Sequence, residues 1–295
     1  MVFSSLKRTF GFILSHKLAK RHKYSAFFKF FRWQIIASFS KKLIVVPFIE
    51  NTKFWARKKL TGITGNIYTG LHEFEDMAFL IHLLRNEDVF FDVGANVGSY
   101  TILASGLKGA KTLAFEPIQT TFDILVKNTI LNNLQHNVEC HQMAAGSSRE
   151  ILHFTTNQDT TNHYVQKATY NSTEIQVIDL DYYYPSVCPI LIKIDVEGFE
   201  IEVLKGATNL LKSPQLKAII IELNSSGNRY GYKDDDIHQE LLSLLFKPYT
   251  YNPFTRSLEI QNHYGAYNTI YVRDFDFVSQ RLANSKSFHV FSDNI

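Results

Sequence analysis

Short apolar runs that alternate with amphipathic segments constrain the fold of this chain more than any other feature of its sequence. The runs lack polar residues at every second position, as expected of strands buried on both faces of a sheet. Alternating strands and helices predict a parallel sheet covered by helices on both faces. We predict strands at residues 88–93, 111–115, 137–145, 189–194, 217–223 and 266–272. We predict helices at residues 73–84, 97–107, 121–134, 200–211 and 235–245.

The composition is typical of a globular intracellular protein. A chain of 295 residues, 45% of them apolar, can bury a large core. Two cysteines, Cys140 and Cys188, are too few for a secreted disulfide framework, which favours a reducing, cytoplasmic compartment. No stretch approaches the roughly 18 apolar residues of a membrane span. The apolar run at residues 9–15 is too short for a signal peptide.

Charge is distributed unevenly along the chain. Residues 1–49 contain ten Lys and Arg and no Asp or Glu. Residues 50–295 contain the remaining 21 basic residues and all 28 acidic residues, so their net charge is −7. Aromatic residues alternate with cations between residues 27 and 33. We therefore predict a basic, aromatic-rich helical extension at residues 1–67, ahead of a main domain at 68–295. The basic segment 1–49 either binds an anionic membrane surface, or packs on the acidic domain or joins two subunits of a homo-oligomer.

A glycine loop follows the first predicted strand of the alternating series. Gly94 and Gly98 permit a tight turn and the close approach of a ligand to the backbone. The carboxylate of Asp92 would repel a pyrophosphate but accept hydrogen bonds from an ammonium group, and S-adenosylmethionine carries an ammonium, a sulfonium and no phosphate. Glu116, at the tip of the next strand, either accepts hydrogen bonds from both ribose hydroxyls or caps a helix that begins near Pro117.

Charged residues alternate at the carboxyl end of the fourth predicted strand, where open α/β sheets place their active sites. Lys193, Asp195 and Glu197 point to one side of an extended backbone. Asp195 or Glu197 is the candidate general base for an alcohol acceptor, and Lys193 either lowers the pKa of the base or stabilises a developing alkoxide. Glu222 and Asn224 close the next strand and could orient acceptor hydroxyls. The alternative is a purely structural ion pair of Lys193 with one carboxylate.

These motifs together resemble the FkbM family of methyltransferases. The resemblance rests on Val93-Gly-Ala-Asn-Val-Gly98, Phe115-Glu-Pro117, Ile178-Asp-Leu-Asp181 and Leu191-Ile-Lys-Ile-Asp-Val-Glu-Gly-Phe-Glu200, and extends over residues 68–275. It implies a Rossmann-like class I methyltransferase fold with a mostly parallel, seven-stranded sheet. It also implies O-methylation, often of a sugar hydroxyl in a glycan or of a secondary metabolite. The cofactor-binding residues that it implies are Glu73, Asp92, Gly94, Ala95, Asn96, Gly98, Thr101, Glu116 and Pro117.

The preferred function is therefore that of an S-adenosylmethionine-dependent O-methyltransferase acting on a sugar, glycan or glycolipid hydroxyl, or on a secondary metabolite. An NAD-dependent oxidoreductase would need the Gly-x-Gly-x-x-Gly pattern, which the loop lacks. A non-catalytic binding module with the same fold would have lost Asp92, Gly94 or Glu116. An RNA or nucleoside methyltransferase is disfavoured by the negative charge of residues 50–295, so we expect no nucleic-acid partner.

Two further predictions concern metals and a lid. The histidines and cysteines lack metal-ligand spacing, so no metal is expected, although Asp195, Glu197 and Glu222 would offer hard oxygen ligands to a divalent cation. The long polar segment at residues 157–173 is either a lid over an acceptor pocket or a disordered surface loop.

Overall fold

The computed structural model describes residues 2–39, 42–58, 60–156, 163–165 and 170–295. Its α-helices are α1 (Val2–Ser15), α2 (Lys17–Arg21), α3 (Lys23–Phe39), α4 (Thr61–Thr69), α5 (Phe74–Leu83), α6 (Ser99–Thr101), α7 (Gln119–Leu131), α8 (Glu200–Lys205), α9 (Thr208–Lys212), α10 (Asp234–Ser243) and α11 (Phe275–Ala283). A π-helix spans Ile102–Leu107, and 3-10 helices span Leu180–Tyr182 and Ser226–Tyr230.

The strands begin with a hairpin, β1 (Ile44–Pro47) and β2 (Lys53–Ala56). The main-domain strands are β3 (Val89–Val93), β4 (Lys111–Phe115), β5 (Val138–His141), β6 (Ala144–Ala145), β7 (Ile151–Thr155), β8 (Tyr164–Val165), β9 (Ser172–Ile178), β10 (Leu191–Ile194), β11 (Ala218–Glu222), β12 (Lys247–Asn252), β13 (Ser257–Ile260) and β14 (Asn268–Val272). A last short pair, β15 (His289–Val290) and β16 (Asp293–Asn294), closes the chain.

The apolar runs form a central sheet with the strand order β13-β12-β14-β11-β10-β3-β4-β5, eight strands among the described residues. Strands β11, β10, β3, β4 and β5 are parallel, and β14 is antiparallel to both of its neighbours. This sheet confirms the predicted Rossmann-like fold, with β13 added to the expected seven strands. The chain proceeds outward in opposite directions from β3 and β10, so a crevice opens between their carboxyl ends.

The third predicted strand, at residues 137–145, divides between two sheets. Val138–His141 pairs with β4 in the central sheet, whereas Ala144–Ala145 pairs with β9 in a second sheet of order β6-β9-β7-β8. The predicted helix at 200–211 is likewise broken at Gly206. A Cβ atom there would lie 1.9 Å from the Gly146 carbonyl oxygen, so the chain needs glycine where α8 ends against the second sheet.

The N-terminal extension shares a core with the main domain. It is helical through α3 and then forms the β1–β2 hairpin, and α4 crosses residue 67, where we predicted that the extension ends. Phe30 and Trp33 of α3 are buried in one cluster with Val97 and Ile102 of the main domain. The hairpin is tied to α7 because the backbone N–H of Trp55 donates to the Asn128 side chain at 2.7 Å.

Residues 157–162 and 166–169, which make up most of the predicted lid, lie outside the described residues. Across the described part of the chain, no helix has both the length and the apolar content needed to cross a membrane.

Candidate active site

A cavity opens at the carboxyl ends of β3, β4, β10 and β11, as the switch in chain direction predicts. The predicted site residues that line it are Glu73, Gly94, Ala95, Asn96, Glu116, Pro117, Lys193, Asp195, Glu197 and Glu222. The structure therefore brings together residues that are up to about 150 positions apart in sequence. Asp92, Gly98 and Thr101 belong to the same loop region but are not among the lining residues.

Gly94 is required by the close approach of two loops. Its φ is 77°, and a Cβ atom would lie 1.8 Å from the carbonyl oxygen of Asp195. The backbone N–H groups of Gly94 and Ala95 both donate to the Phe115 carbonyl, at 3.0 and 2.9 Å. The loops that follow β3, β4 and β10 are thus held in contact, and they form the floor of the cavity.

Asp92 lies beneath the glycine loop and not on the cavity wall. Its side chain is fully buried, and its Oδ2 accepts a hydrogen bond from the Thr101 hydroxyl at 2.6 Å. Burial raises the pKa of this carboxyl group, and nearby Lys193 partly opposes the shift. We correct the expectation of a direct contact between Asp92 and an ammonium group, because the carboxylate supports the loop from behind. Gly98, with φ 90°, begins α6 in the same loop.

Glu116 is held rigidly by backbone amides. Its Oε2 accepts from the N–H of Asn96 at 2.9 Å, and its Oε1 accepts from the N–H of Ile118 at 3.0 Å. Burial raises its pKa to about 7. The two expected roles are not exclusive, because Glu116 binds an amide just ahead of α7 and also lines the cavity. Each oxygen retains a lone pair that can accept a further hydrogen bond.

Lys193 forms an ion pair inside the cavity wall. It is 3% exposed, and its Nζ lies 2.8 Å from Asp195 Oδ2 and 5.0 Å from the centre of the Tyr100 ring. Burial alone would disfavour the ammonium, but the carboxylates of Asp195 and Asp92 raise the pKa of Lys193 above its usual value. The ion pair that we considered as an alternative is therefore present, at a position that also faces the cavity.

Three carboxylates converge beside this ion pair. Each of Asp195, Glu197 and Glu222 has one oxygen within 4.8 Å of an oxygen of the other two. Burial, reinforced by the charge of Asp195, raises the pKa of Glu197 to about 7. Burial and both neighbouring carboxylates raise the pKa of Glu222 to about 9, and its Oε2 has no partner among the described residues. At neutral pH the group can hold a proton, accept a proton, or bind a divalent cation through hard oxygen ligands.

Glu200 and Tyr100 contribute to the site but were not predicted. The buried Glu200 carboxylate accepts from the N–H groups of Val196 and Gly198, both at 3.1 Å, and so fixes the loop that presents Glu197. A carboxylate at the start of a helix is a recognisable capping signal, although its target here is the preceding loop. The Tyr100 hydroxyl donates to Glu73 at 2.7 Å, a contact for which the sequence carries no signal.

The profile of the methyltransferase FkbM domain matches residues 92–248, more than half of the chain. The chain belongs to the FkbM methyltransferase family. The matched domain is one that is named for methyl transfer. The matched region contains every carboxylate that lines the cavity except Glu73.

Named relatives of this FkbM methyltransferase include enzymes from archaea and fungi. The hexuronic acid methyltransferase AglP of Haloferax volcanii is 32% identical over 149 residues, which cover 50% of this chain and 60% of AglP. Methyltransferase sdnD of Sordaria araneosa is 28% identical, over 45% of this chain and 65% of that protein. A crystal structure of methyltransferase FkbM from Methylobacillus flagellatus KT has a TM-score of 0.44 and 18% identity, covering 71% of this chain and 52% of that one. The chain thus spans less than two thirds of the length of each of these three proteins.

Proposed function

We propose that this FkbM methyltransferase uses S-adenosylmethionine to methylate a hydroxyl oxygen of a sugar. The observation that carries the proposal is the convergence of Lys193, Asp195, Glu197 and Glu222 at one wall of the cavity that Glu116 also lines. Such a wall suits proton removal from an alcohol, and the rest of the cavity suits a nucleoside.

The lining residues fit the two polar ends of S-adenosylmethionine. The fixed Glu116 carboxylate can accept hydrogen bonds from ribose hydroxyls, and apolar Ile118 and Met143, which follow β4 and β5, suit an adenine ring. Glu73, anchored by Tyr100, is the lining carboxylate that we assign to the ammonium group. When bound, the cofactor supplies a methyl group activated by a positively charged sulfur.

Glu197 is our candidate for the general base. Asp195 is already engaged by Lys193, whereas the pKa of Glu197, about 7, suits proton transfer near neutral pH. The Glu197 carboxylate would take the proton of the acceptor hydroxyl, and the Lys193 ammonium would stabilise negative charge on that oxygen. Glu222, with a pKa near 9, would hold its proton and donate a hydrogen bond to a second acceptor oxygen.

The acidic wall favours a hydroxyl over a carboxylate as acceptor. A carboxylate needs no base and would be repelled by the negative charges of Asp195 and of ionised Glu197. Hydroxyl groups, in contrast, donate well to carboxylates, which supports a sugar. The relative AglP is named for a hexuronic acid, which supports a sugar as the acceptor. A hexuronic acid carries both hydroxyl and carboxylate oxygens, so this name does not distinguish the two kinds of acceptor oxygen.

The test is transfer of a labelled methyl group from S-adenosylmethionine to a neutral glycoside, a hexuronide and a short RNA. We expect label in the glycoside or the hexuronide, in a product that survives alkali because an ether has formed. An alkali-labile product would be an ester and would contradict a base-assisted reaction on a hydroxyl. Label only in RNA would refute the sugar class. Loss of activity in excess chelator would show that Asp195, Glu197 and Glu222 bind a metal ion needed for the reaction, and would contradict the role of Glu197 as a free base.

A further inference from the structure

Helix α3 is apolar on two opposite faces. Its inner face buries Ala26, Phe30, Trp33 and Ala37 against the rest of the protein. Its outer face presents a second apolar row at the same helical spacing, which we call the α3 stripe. The α3 stripe consists of Tyr24, Phe28, Phe31, Ile35 and Phe39.

The α3 stripe is unusual for a protein surface. Its five side chains are between 52% and 88% exposed. Isolated exposed apolar residues are common on protein surfaces. A continuous row with four aromatic rings along one helix face instead indicates a site that binds a membrane or another molecule.

The surroundings of the stripe are cationic. The first three helices contain no acidic residue, and Lys7, Arg8, Lys20 and Arg32 are exposed on them. None of these four forms an ion pair with another described residue, whereas Lys17 and Arg21 pair with Glu75 and Asp293. The expected packing of the extension on the acidic domain therefore uses only part of its positive charge.

We infer that the α3 stripe docks on the surface of an anionic lipid bilayer. Aromatic and aliphatic side chains would insert at the headgroup boundary, and the neighbouring Lys and Arg would attract anionic lipids. The charge of the protein fits this orientation, because the basic extension would face the bilayer and residues 50–295, at −7, would be repelled from it.

A second copy of the chain is a less suitable occupant. In a symmetric dimer the same patch meets itself, so two acid-free, cationic surfaces would be pressed together without compensating charge. An anionic bilayer would bury the apolar side chains of the α3 stripe and would also attract the positive charges around it. Docking does not depend on the proposed reaction, so either inference can fail without the other.

Co-sedimentation of the full chain with vesicles tests this inference. We expect binding to phosphatidylcholine vesicles that contain phosphatidylglycerol, weakening as salt is raised, and little binding to phosphatidylcholine alone. The combined Phe28→Ser, Ile35→Ser and Phe39→Ser variant should bind at least about tenfold more weakly. The matched control replaces Ile130, Ile151 and Ile260, exposed apolar residues of the main domain, by Ser and should bind like the wild type.

A second pair of variants tests the charge. Lys7→Gln with Arg32→Gln should lower vesicle partition by about 30-fold at low salt. Lys111→Gln with Lys127→Gln, which removes the same charge from the exposed surface of the main domain, should have little effect. Unchanged melting temperature and cofactor binding would show that each variant is folded.

Three results would overturn the inference. The wild type could remain in the supernatant with both kinds of vesicle, or the stripe variant could sediment like the wild type. Alternatively, light scattering could show a dimer that the stripe variant converts to a monomer without any vesicle binding, which would assign the stripe to a second copy.

Discussion

Glu197 lies at a left-handed backbone position, φ 57°, three residues after the end of β10. This bend and the following Gly198 turn the carboxylate into the cavity beside Asp195. Its pKa of about 7 means that the fraction able to accept a proton rises with pH through the neutral range. Sequence alternation predicted that Lys193, Asp195 and Glu197 meet, but the sequence does not reveal the bend or the resulting pKa.

At the residue scale we predict that Glu197→Gln lowers kcat by about 10²–10⁴-fold with little change in S-adenosylhomocysteine affinity. The wild-type rate should fall below about pH 7 as Glu197 is protonated, and this acid limb should be absent from the residual activity of the variant. Steady-state kinetics across pH measure both. Near-normal turnover with an unchanged pH profile would place the base elsewhere, with Asp195 the next candidate.

Glu222 provides a second residue-scale prediction. Its pKa is raised to about 9, so the folded state holds this proton more tightly than the unfolded state does. The contribution of Glu222 to the free energy of unfolding is therefore complete below the ordinary Glu pKa of 4.5 and is lost as the pH rises towards 9. Glu222→Gln, which stays neutral, should melt at least about 4 °C above the wild type at alkaline pH and close to it in mild acid.

The exposed Glu174→Gln is the control for Glu222→Gln, and its melting temperature should follow the wild type throughout the pH range. Equal pH dependence of the wild type and Glu222→Gln would show that Glu222 is not protonated in the folded protein.

At the scale of elements, burial decided what the sequence could predict. Strands β3, β4, β10 and β11 lie within two residues of their predicted bounds, because they are buried and their sequences are mostly apolar. Strands β7, β9 and β12 were not predicted, since they are partly exposed and carry polar residues that resemble loops. The place of Asp92 behind its loop depends on Thr101 packing and could not be predicted from spacing.

The loop after β10 provides the element-scale prediction. Glu200→Ala removes the acceptor of two backbone N–H groups and should cost about 1–3 kcal/mol of unfolding free energy. Because Glu197 loses its fixed position, kcat should fall by about tenfold or more, while the cofactor Kd changes little. Glu200→Gln keeps an acceptor oxygen and should recover much of the rate. Equal kinetics for Glu200→Ala and the wild type would limit Glu200 to a structural role.

At the scale of the whole molecule, the extension and the main domain share an apolar core, so we predict that they unfold together. Trp33 is 3% exposed in a cluster that also contains Val97 and Ile102, which follow β3. Trp33→Ala should therefore lower the free energy of unfolding of the entire protein by about 3–5 kcal/mol in a single urea transition. The control Phe28→Ala, on the exposed face of the same helix, should change it little. A separate early transition in the variant would show that the extension unfolds independently.

We propose that the cavity at the ends of β3, β4 and β10 holds S-adenosylmethionine. Titration calorimetry with S-adenosylmethionine, S-adenosylhomocysteine and NAD tests this proposal, with Glu116→Ala as the matched variant. We predict binding of the first two at about −7 to −9 kcal/mol, no heat with NAD, and a loss of about 1.5–3 kcal/mol in the variant. Heat with NAD but with neither of the other two ligands would contradict the assignment of the cavity.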